Sequence, residues 1–320
     1  MFAAKKRIGV VIPCYNTARH IEKVIRTLPD FVDRIFVVDD ASTDGTSETA
    51  AGLRHPKTDL IRHAKNQGVG AAVMTGFRAA SDAGMDILVK MDGDGQMRPE
   101  FLRALVEPLA EGRAHYAKGN RFTDAQFLTR MPGIRRFGNA WLSFFAKLVS
   151  GYWNVFDVTN GYTAILTATY RKVDPRAVAR GYFFEISLLT ELNIVGAKVA
   201  DVDIPAFYGD EKSHLSVNKA AAFFPFLLLR AFFHRFYQRY IIRDFNVFSV
   251  CFLTGLPLFL FGVLYGLNLW AHPPVSGSPT PAGTVMLAAL PIIIGFQLLL
   301  AALILDVVFV PNVAPHREIR

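Results

Sequence analysis

The chain opens with short apolar runs separated by longer stretches in which apolar residues recur every three or four positions. RIGVVIP, RIFVVDD, TDLIRH and DILVKMD are the runs, and HIEKVIRTLPD, SETAAGLRH and GAAVMTGFRAASDAG lie between them. Continuous apolar segments such as IGVVI and IFVV fit strands buried on both faces, and the intervening periodicity fits helices. Strands separated by helices of this length predict a parallel sheet with right-handed crossovers, hence an α/β domain. The pattern then changes. From Ala220 onward Phe and Leu dominate, and KAAAFFPFLLLRAFFHRFYQRYIIR (219–243) mixes them with Arg230, Arg235, Arg239 and Arg243. That mixture predicts an amphipathic helix, or two broken at Pro225, lying on a membrane surface. Two longer segments follow: Asn246–Ala271 has no charged residue and Gly283–Val310 has only Asp306. Each exceeds the ~20 residues needed to cross a bilayer core.

The expected organisation is therefore a catalytic α/β domain over 1–215, interfacial helices over 216–244, and a membrane domain over 245–320. Its two transmembrane helices are expected at about 246–271 and 283–310. Arginines precede the first span, Arg317 and Arg320 follow the second, and the loop between the spans has no Lys or Arg. The positive-inside rule then puts the large domain on the cytoplasmic side of the inner (cytoplasmic) membrane, in a multi-pass protein. Asp306, near the cytoplasmic end of its helix, is expected at the interface rather than as an intramembrane functional acid.

Composition sharpens the picture in two places. Hydrophobic residues make up 52% of the 320 and the net charge is +8. A basic excess suits nucleic acid or an anionic membrane, and the apolar C-terminal third favours the membrane. No zinc-finger spacing or Arg-rich tract points to nucleic acid. The two cysteines, Cys14 and Cys251, fall in a strand and in an apolar segment, which gives no disulfide framework and suits a reducing cytosol. The short apolar run at the N-terminus is interrupted by Pro13 and is not read as a signal peptide.

Candidate chemistry gathers at strand ends, where parallel sheets bind ligands. Three ends carry polar residues: Pro13-Cys14-Tyr15-Asn16, Asp39-Asp40-Ala41-Ser42 and Asp92-Gly93-Asp94. Asp92 and Asp94, with Gln96 two residues on, are oxygen donors of the kind that hold Mg²⁺ or Mn²⁺. A solvated Asp-Gly turn has the same sequence, so both readings stand on this window alone. GVGAAV from Gly68 lacks the third glycine of a dinucleotide fingerprint and does not follow the first strand.

Taken together, IPCYN, VVDDASTDGT, NQGVGAAVMTGFRAA and MDGDGQ resemble the inverting family 2 glycosyltransferases. GNRF (119–122), RRFGN (135–139), DVTNGYTAI (157–165) and GYFFEISLLTELNIVGAKVADVDI narrow the resemblance to the polyprenyl-phosphate glycosyltransferases, the branch of dolichyl-phosphate mannose synthase. It covers about residues 8–215 in order. It implies a GT-A fold (Rossmann-like, with a mostly parallel sheet), a UDP- or GDP-linked sugar donor, a polyprenyl-phosphate acceptor (undecaprenyl or dolichyl) and a divalent ion, Mg²⁺ or Mn²⁺. Asp94 and Gln96 match the metal ligands, with Asp92 beside them contacting the donor. Pro13, Tyr15, Asn16, Asp39 and Asp40 fall at the nucleotide pocket, Asp40 as the base contact. Arg121 matches an arginine beside the diphosphate, and Arg135 or Arg136 a basic residue facing the acceptor phosphate. Thr17 stands where family members often carry Glu. FYGDEKSHLSVNK replaces an Arg followed by GxSK, with Lys212 taken to supply the charge. Glu185 is read either as orienting the acceptor or as a structural ion pair. The rival activity is extension of a lipid-linked glycan at a hydroxyl; a processive synthase would carry Gln-x-x-Arg-Trp, and QRYIIR is the closest run. Homo-oligomerisation is left open.

Overall fold

A computed structural model describes residues 6–121, 133–205, 217–272 and 280–311; for 133–140 and 217–223 it gives the backbone path only. One compact unit falls within Met1–Phe233 and a second is His234–Val310.

The first unit is built on seven strands: β1 (Ile8–Cys14), β2 (Arg34–Asp39), β3 (Thr58–Arg62), β4 (Ile87–Lys90), β5 (Tyr116–Asn120), β6 (Thr163–Leu166) and β7 (Val199–Asp203). Their order in the sheet is β3-β2-β1-β4-β6-β5-β7. Six strands run parallel to one another; β6 is antiparallel to its neighbours β4 and β5. The helices between are α1 (Ala18–Arg26), α2 (Thr46–Gly52), α3 (Val69–Asp82), α4 (Leu102–Ala110), α5 (Gly133–Ser150), a short α6 (Thr167–Tyr170) and α7 (Phe184–Ile194). The four expected strands and three expected helices are all present, with α1 starting earlier, at Ala18, and α2 stopping at Gly52.

Side-chain alternation divides the core. Val10, Ile12, Val37 and Val89 pack on one face with Ile21 and Ile25 of α1 and Leu105 and Leu109 of α4. Val11 and Val38 point to the other face, where α3 lies so close that a Cβ on Gly76 would collide with Val11. Each fully buried Val or Leu contributes roughly 1.5–3 kcal/mol, so β1, buried on both faces along its whole length, anchors the sheet.

The second unit contains α9 (Val247–Ala271) and α10 (Ala282–Val308), reached through α8 (Val217–Arg235) and a π-helical segment, Phe236–Arg243. Pro225 does not break α8, which continues through it; the change of winding falls at Phe236 instead. A helix tolerates an internal proline when one lost hydrogen bond is outweighed by its surroundings. Both α9 and α10 are long and apolar enough to cross a membrane, with mean hydropathy 2.3 and 2.5. Only 22% and 11% of their most apolar windows is buried, whereas the core helix of a soluble domain is mostly buried. They pack through small residues. Gly262 sits against Ala288 and Ile292, and Gly255 against Gly295 and Leu298, so the two helices run antiparallel. A Cβ on Gly295 would lie 2.8 Å from Phe259 Cα. Close backbone approach at glycine is how apolar helices gain packing where water supplies no driving force.

Asp306 is buried within the second unit. It is 3% exposed, and Arg235, 1% exposed, meets it with two hydrogen bonds of 2.7 and 3.0 Å. The Tyr240 hydroxyl donates to the same carboxylate, and its ring stacks on Phe248 with centroids 3.8 Å apart. Arg235 is thus not a headgroup-facing cation; the carboxylate holds it inside the unit.

Candidate active site

The parallel strands deliver their C-terminal ends to one edge of the sheet, and antiparallel β6 delivers its start there. A cleft of about 190 Å³ opens at that edge, lined by Asp92, Asp94, Gln96, Arg121, Gly161 and Glu185, among others. Asp92 to Gln96 form the loop after β4. Gly95 has φ +77°, which lets the loop turn back, and the Gln96 amide donates to Asp94 Oδ1 at 3.0 Å. Gly93 lies so close to β1 that a Cβ there would sit 2.8 Å from Cys14 Sγ. Both carboxylates expected at the site therefore reach one cleft, together with Gln96 and Arg121.

Charge in this cleft is layered. Arg121 forms a bidentate pair with the fully buried Asp157, 2.6 Å from Nε to Oδ2 and 3.1 Å from Nη2 to Oδ1. The fork geometry fixes the guanidinium plane while Arg121 still lines the cleft. Lys90, the last residue of β4, is buried 2.8 Å from Asp92 Oδ1 and 3.4 Å from Glu185 Oε1. Burial works to lower its pKa, but Asp92 and Glu185 outweigh burial and hold it above the ordinary lysine value. Lys118 on β5 is buried too and donates to the Asn160 carbonyl. Burial brings it down to about 8, against the pull of Glu185 and Asp157.

Asp201 on β7 accepts from the Asn120 amide at 2.8 Å. Burial pushes its carboxyl up to about 6, opposed by hydrogen bonds from the Phe156 N–H and Asn120, with Asp157 adding repulsion and Lys118 attraction; Lys147 of α5 is also close enough to interact. A carboxyl raised in the folded state favours its protonated form. Its contribution is full below the unfolded pKa and is lost as pH rises through about 6. Asp201→Asn is therefore expected to gain stability over the parent between about pH 4 and about pH 7, on the order of 1 kcal/mol, read as a melting-temperature difference that grows with pH. An equal difference at both ends of that range would sink the assignment.

A second cleft, about 220 Å³, lies at the ends of β1 and β2, lined by Pro13, Tyr15, Asp40, Gly68, Ala72 and Tyr182, among others. Tyr15 is 53% exposed. Asp40 accepts from the Gln67 and Gly68 amides at 2.9 and 2.8 Å and contacts His63 Nδ1 at 2.7 Å, which fixes its orientation at the cleft wall. Asn16 and Asp39 do not line this cleft. Asn16, at φ +56°, accepts from the Thr43 N–H and ties the β1 loop to the β2 loop. Asp39 is wholly buried, accepting from the Ser42 N–H and the Ser47 hydroxyl, and so supports the loop from beneath. Burial pushes the Cys14 thiol up to about 12, leaving it inert. Lys212 lies outside the described residues, as do the side chains of Arg135 and Arg136 on α5.

Sequence reasoning passed over Lys90, Lys118 and Asp157. A signal was present for the lysines: each interrupts an otherwise apolar or small strand, ILVK and YAKGN. Asp157 opens the DVTNGYTAI motif, but its pairing with Arg121 was not legible there, because the two lie 36 residues apart.

The profile of glycosyl transferase family 2 matches residues 9–173, more than half of the chain. The chain belongs to this family. This glycosyltransferase is 30% identical over 194 residues to a UDP-N-acetylglucosamine–dolichyl-phosphate N-acetylglucosaminyltransferase of Methanococcus voltae, covering 56% of the chain and 77% of that protein. It is 30% identical over 203 residues to the undecaprenyl-phosphate mannosyltransferase of Micrococcus luteus, covering 62% of the chain and 82% of the relative. Its fold is that of glucosyl-3-phosphoglycerate synthase from Mycobacterium tuberculosis, with TM-score 0.54 at 23% identity over 71% of this chain and 79% of that one. The catalytic unit is thus an α/β, GT-A-like domain, as expected.

Proposed function

We propose that this glycosyltransferase moves a hexose from a UDP- or GDP-linked donor to a polyprenyl phosphate, with inversion, at the cytoplasmic face of a membrane. The observation that carries the reading is the acceptor chemistry of its relatives. Two that align over three quarters or more of their own length are named for transfer to a dolichyl or undecaprenyl phosphate. The organisation that fits is a catalytic domain over 1–215, an interfacial stretch over 216–244 and membrane helices beyond it.

The apolar-walled cleft at Pro13 and Tyr15 suits the donor's base and ribose, with Asp40 at its wall. The polar cleft suits the diphosphate and sugar. Its donor set is all oxygen: two carboxylates and one amide. Among the described residues no three His, Cys, Asp or Glu gather as a closed metal cage. A partial shell of hard donors fits Mg²⁺ or Mn²⁺, which bind through one or two carboxylates and substrate phosphates. Asp94 and Gln96, with Asp92 beside them, would hold such an ion, which when bound offsets charge developing on the diphosphate. Arg121, held flat by Asp157, would meet the same diphosphate with its guanidinium. The acceptor phosphate, with a second pKa of ~6, is largely ionised at neutral pH. It can attack the anomeric carbon, opposite the departing nucleoside diphosphate, with little help from a base. Arg135 or Arg136 would hold it against an anionic donor, and Lys212 would add charge at the donor side.

The test uses full-length protein in detergent with Mn²⁺ and a panel of UDP- and GDP-sugars, with and without undecaprenyl phosphate. The expected product is a sugar–phosphate–lipid seen by mass spectrometry. Donor turnover without such a lipid, or transfer only to a hydroxyl-ended glycolipid, would replace this reading with glycan extension.

A further inference from the structure

Three segments of the chain meet at the Lys90 ammonium. Asp92 Oδ1 approaches it to 2.8 Å from the loop after β4, and Glu185 Oε1 to 3.4 Å from the first turn of α7. Gly161, from the loop before β6, packs so tightly that any Cβ would collide with Nζ and lie 3.0 Å from Asp92 Oδ2. Lys90 itself is the end of a strand whose other residues are Ile87, Leu88 and Val89. An apolar side chain would fill that slot without the cost of burying an ammonium. Asp92 Oδ1 is buried and accepts no well-angled hydrogen bond, so its contact with Lys90 is an ion pair, while the side chain as a whole is 30% exposed. Asp92 and Glu185 both line the polar cleft.

We propose that Lys90 is a positioning residue for the transfer reaction: it pins Asp92 Oδ1 so that Oδ2 faces the donor, and holds Glu185 of α7 at a set distance across the cleft. This rests on the donor-binding reading above. Lys90 touches no substrate. It acts by holding two carboxylates in place, one from the donor loop and one from the helix opposite. Gly161 is the complementary feature, since a Cβ there would force the ammonium to shift from this position. Such placement matters most in the transition state, where small displacements of charged groups cost rate more than binding.

The test compares full-length parent, Lys90→Met and Glu185→Gln in detergent. Steady-state transfer is measured beside calorimetric titration with UDP or GDP plus Mn²⁺ and, separately, with uridine or guanosine. Lys90→Met is expected to lose about 100-fold in kcat and about 10-fold in nucleoside-diphosphate affinity, while nucleoside affinity stays within about twofold. Glu185→Gln keeps the shape of the cleft and is expected to melt with the parent while losing about 10-fold in kcat. Lys90→Met with kcat and diphosphate affinity within about twofold of the parent, whatever its melting temperature, overturns the proposal. So does equal loss of nucleoside and diphosphate binding, which marks general collapse. If Lys90→Met does not fold, an unchanged kcat in Glu185→Gln overturns it by itself. A parent that transfers from no donor overturns the donor reading, and this inference with it.

Discussion

Asp94→Ala is expected to lower the rate of glycolipid formation by about 10³-fold while leaving the fold in place. Asp94 stands in the loop after β4 and shares the cleft with Arg121, so its carboxylate lies where a leaving diphosphate would gather charge. Removing a group that stabilises developing charge costs several kcal/mol of barrier, and each ~1.4 kcal/mol is tenfold. The structural cost is much smaller. Among its structural contacts the substitution removes the acceptor of the Gln96 N–H, a hydrogen bond of 3.0 Å in a part-buried loop, itself worth roughly 0.5–1.5 kcal/mol. Rate and melting temperature should therefore separate: transfer almost abolished, unfolding shifted by a few degrees. Measuring both on one preparation, with the donor whose product the panel identifies, checks this. Retention of more than about a tenth of the parent rate would mean that the Asp-Gly-Asp-Gly loop is a solvated turn after all.

The second large effect concerns the membrane unit. Arg235→Leu is expected to destabilise it by about 3–5 kcal/mol, because Asp306 would stay buried without the cation that meets it with two hydrogen bonds. Asp306→Leu should cost as much by leaving Arg235 buried without its carboxylate. The double variant should recover most of the loss, since an apolar pair of similar volume avoids desolvating two charges. Thermal unfolding of the four proteins in detergent forms a double-mutant cycle whose coupling term reports the pair. Single variants that melt with the parent would show that the pair is dispensable.

Much of the fold was legible in the chain because burial on both faces of a parallel strand leaves no polar position. IGVVI and IFVV can hardly be anything else, and both became interior strands of the sheet. The two apolar helices were legible for a similar reason, since more than twenty residues without a formal charge leave few alternatives. Pro225 left one helix or two open in the sequence, because helix interruption is a local preference, and the structure carries the helix through it. At the site, Asp92, Asp94, Gln96 and Arg121 share a cleft as expected, whereas Asp39 and Asn16 serve the loops around the other one. Acidic residues at a strand end look alike in sequence; which of them faces solvent depends on what packs over them.

Residue order determined the strands, the apolar helices and the carboxylate loop, because these follow from periodicity and from chemistry compressed into a few neighbouring positions. Tertiary structure decided the pairings: Arg121 with Asp157, Lys90 with Asp92 and Glu185, and Arg235 with Asp306. A buried charge must find its partner in space rather than along the chain. Most of these partners lie tens of residues apart, so local pattern records that a charge is there and leaves its counter-charge to the fold.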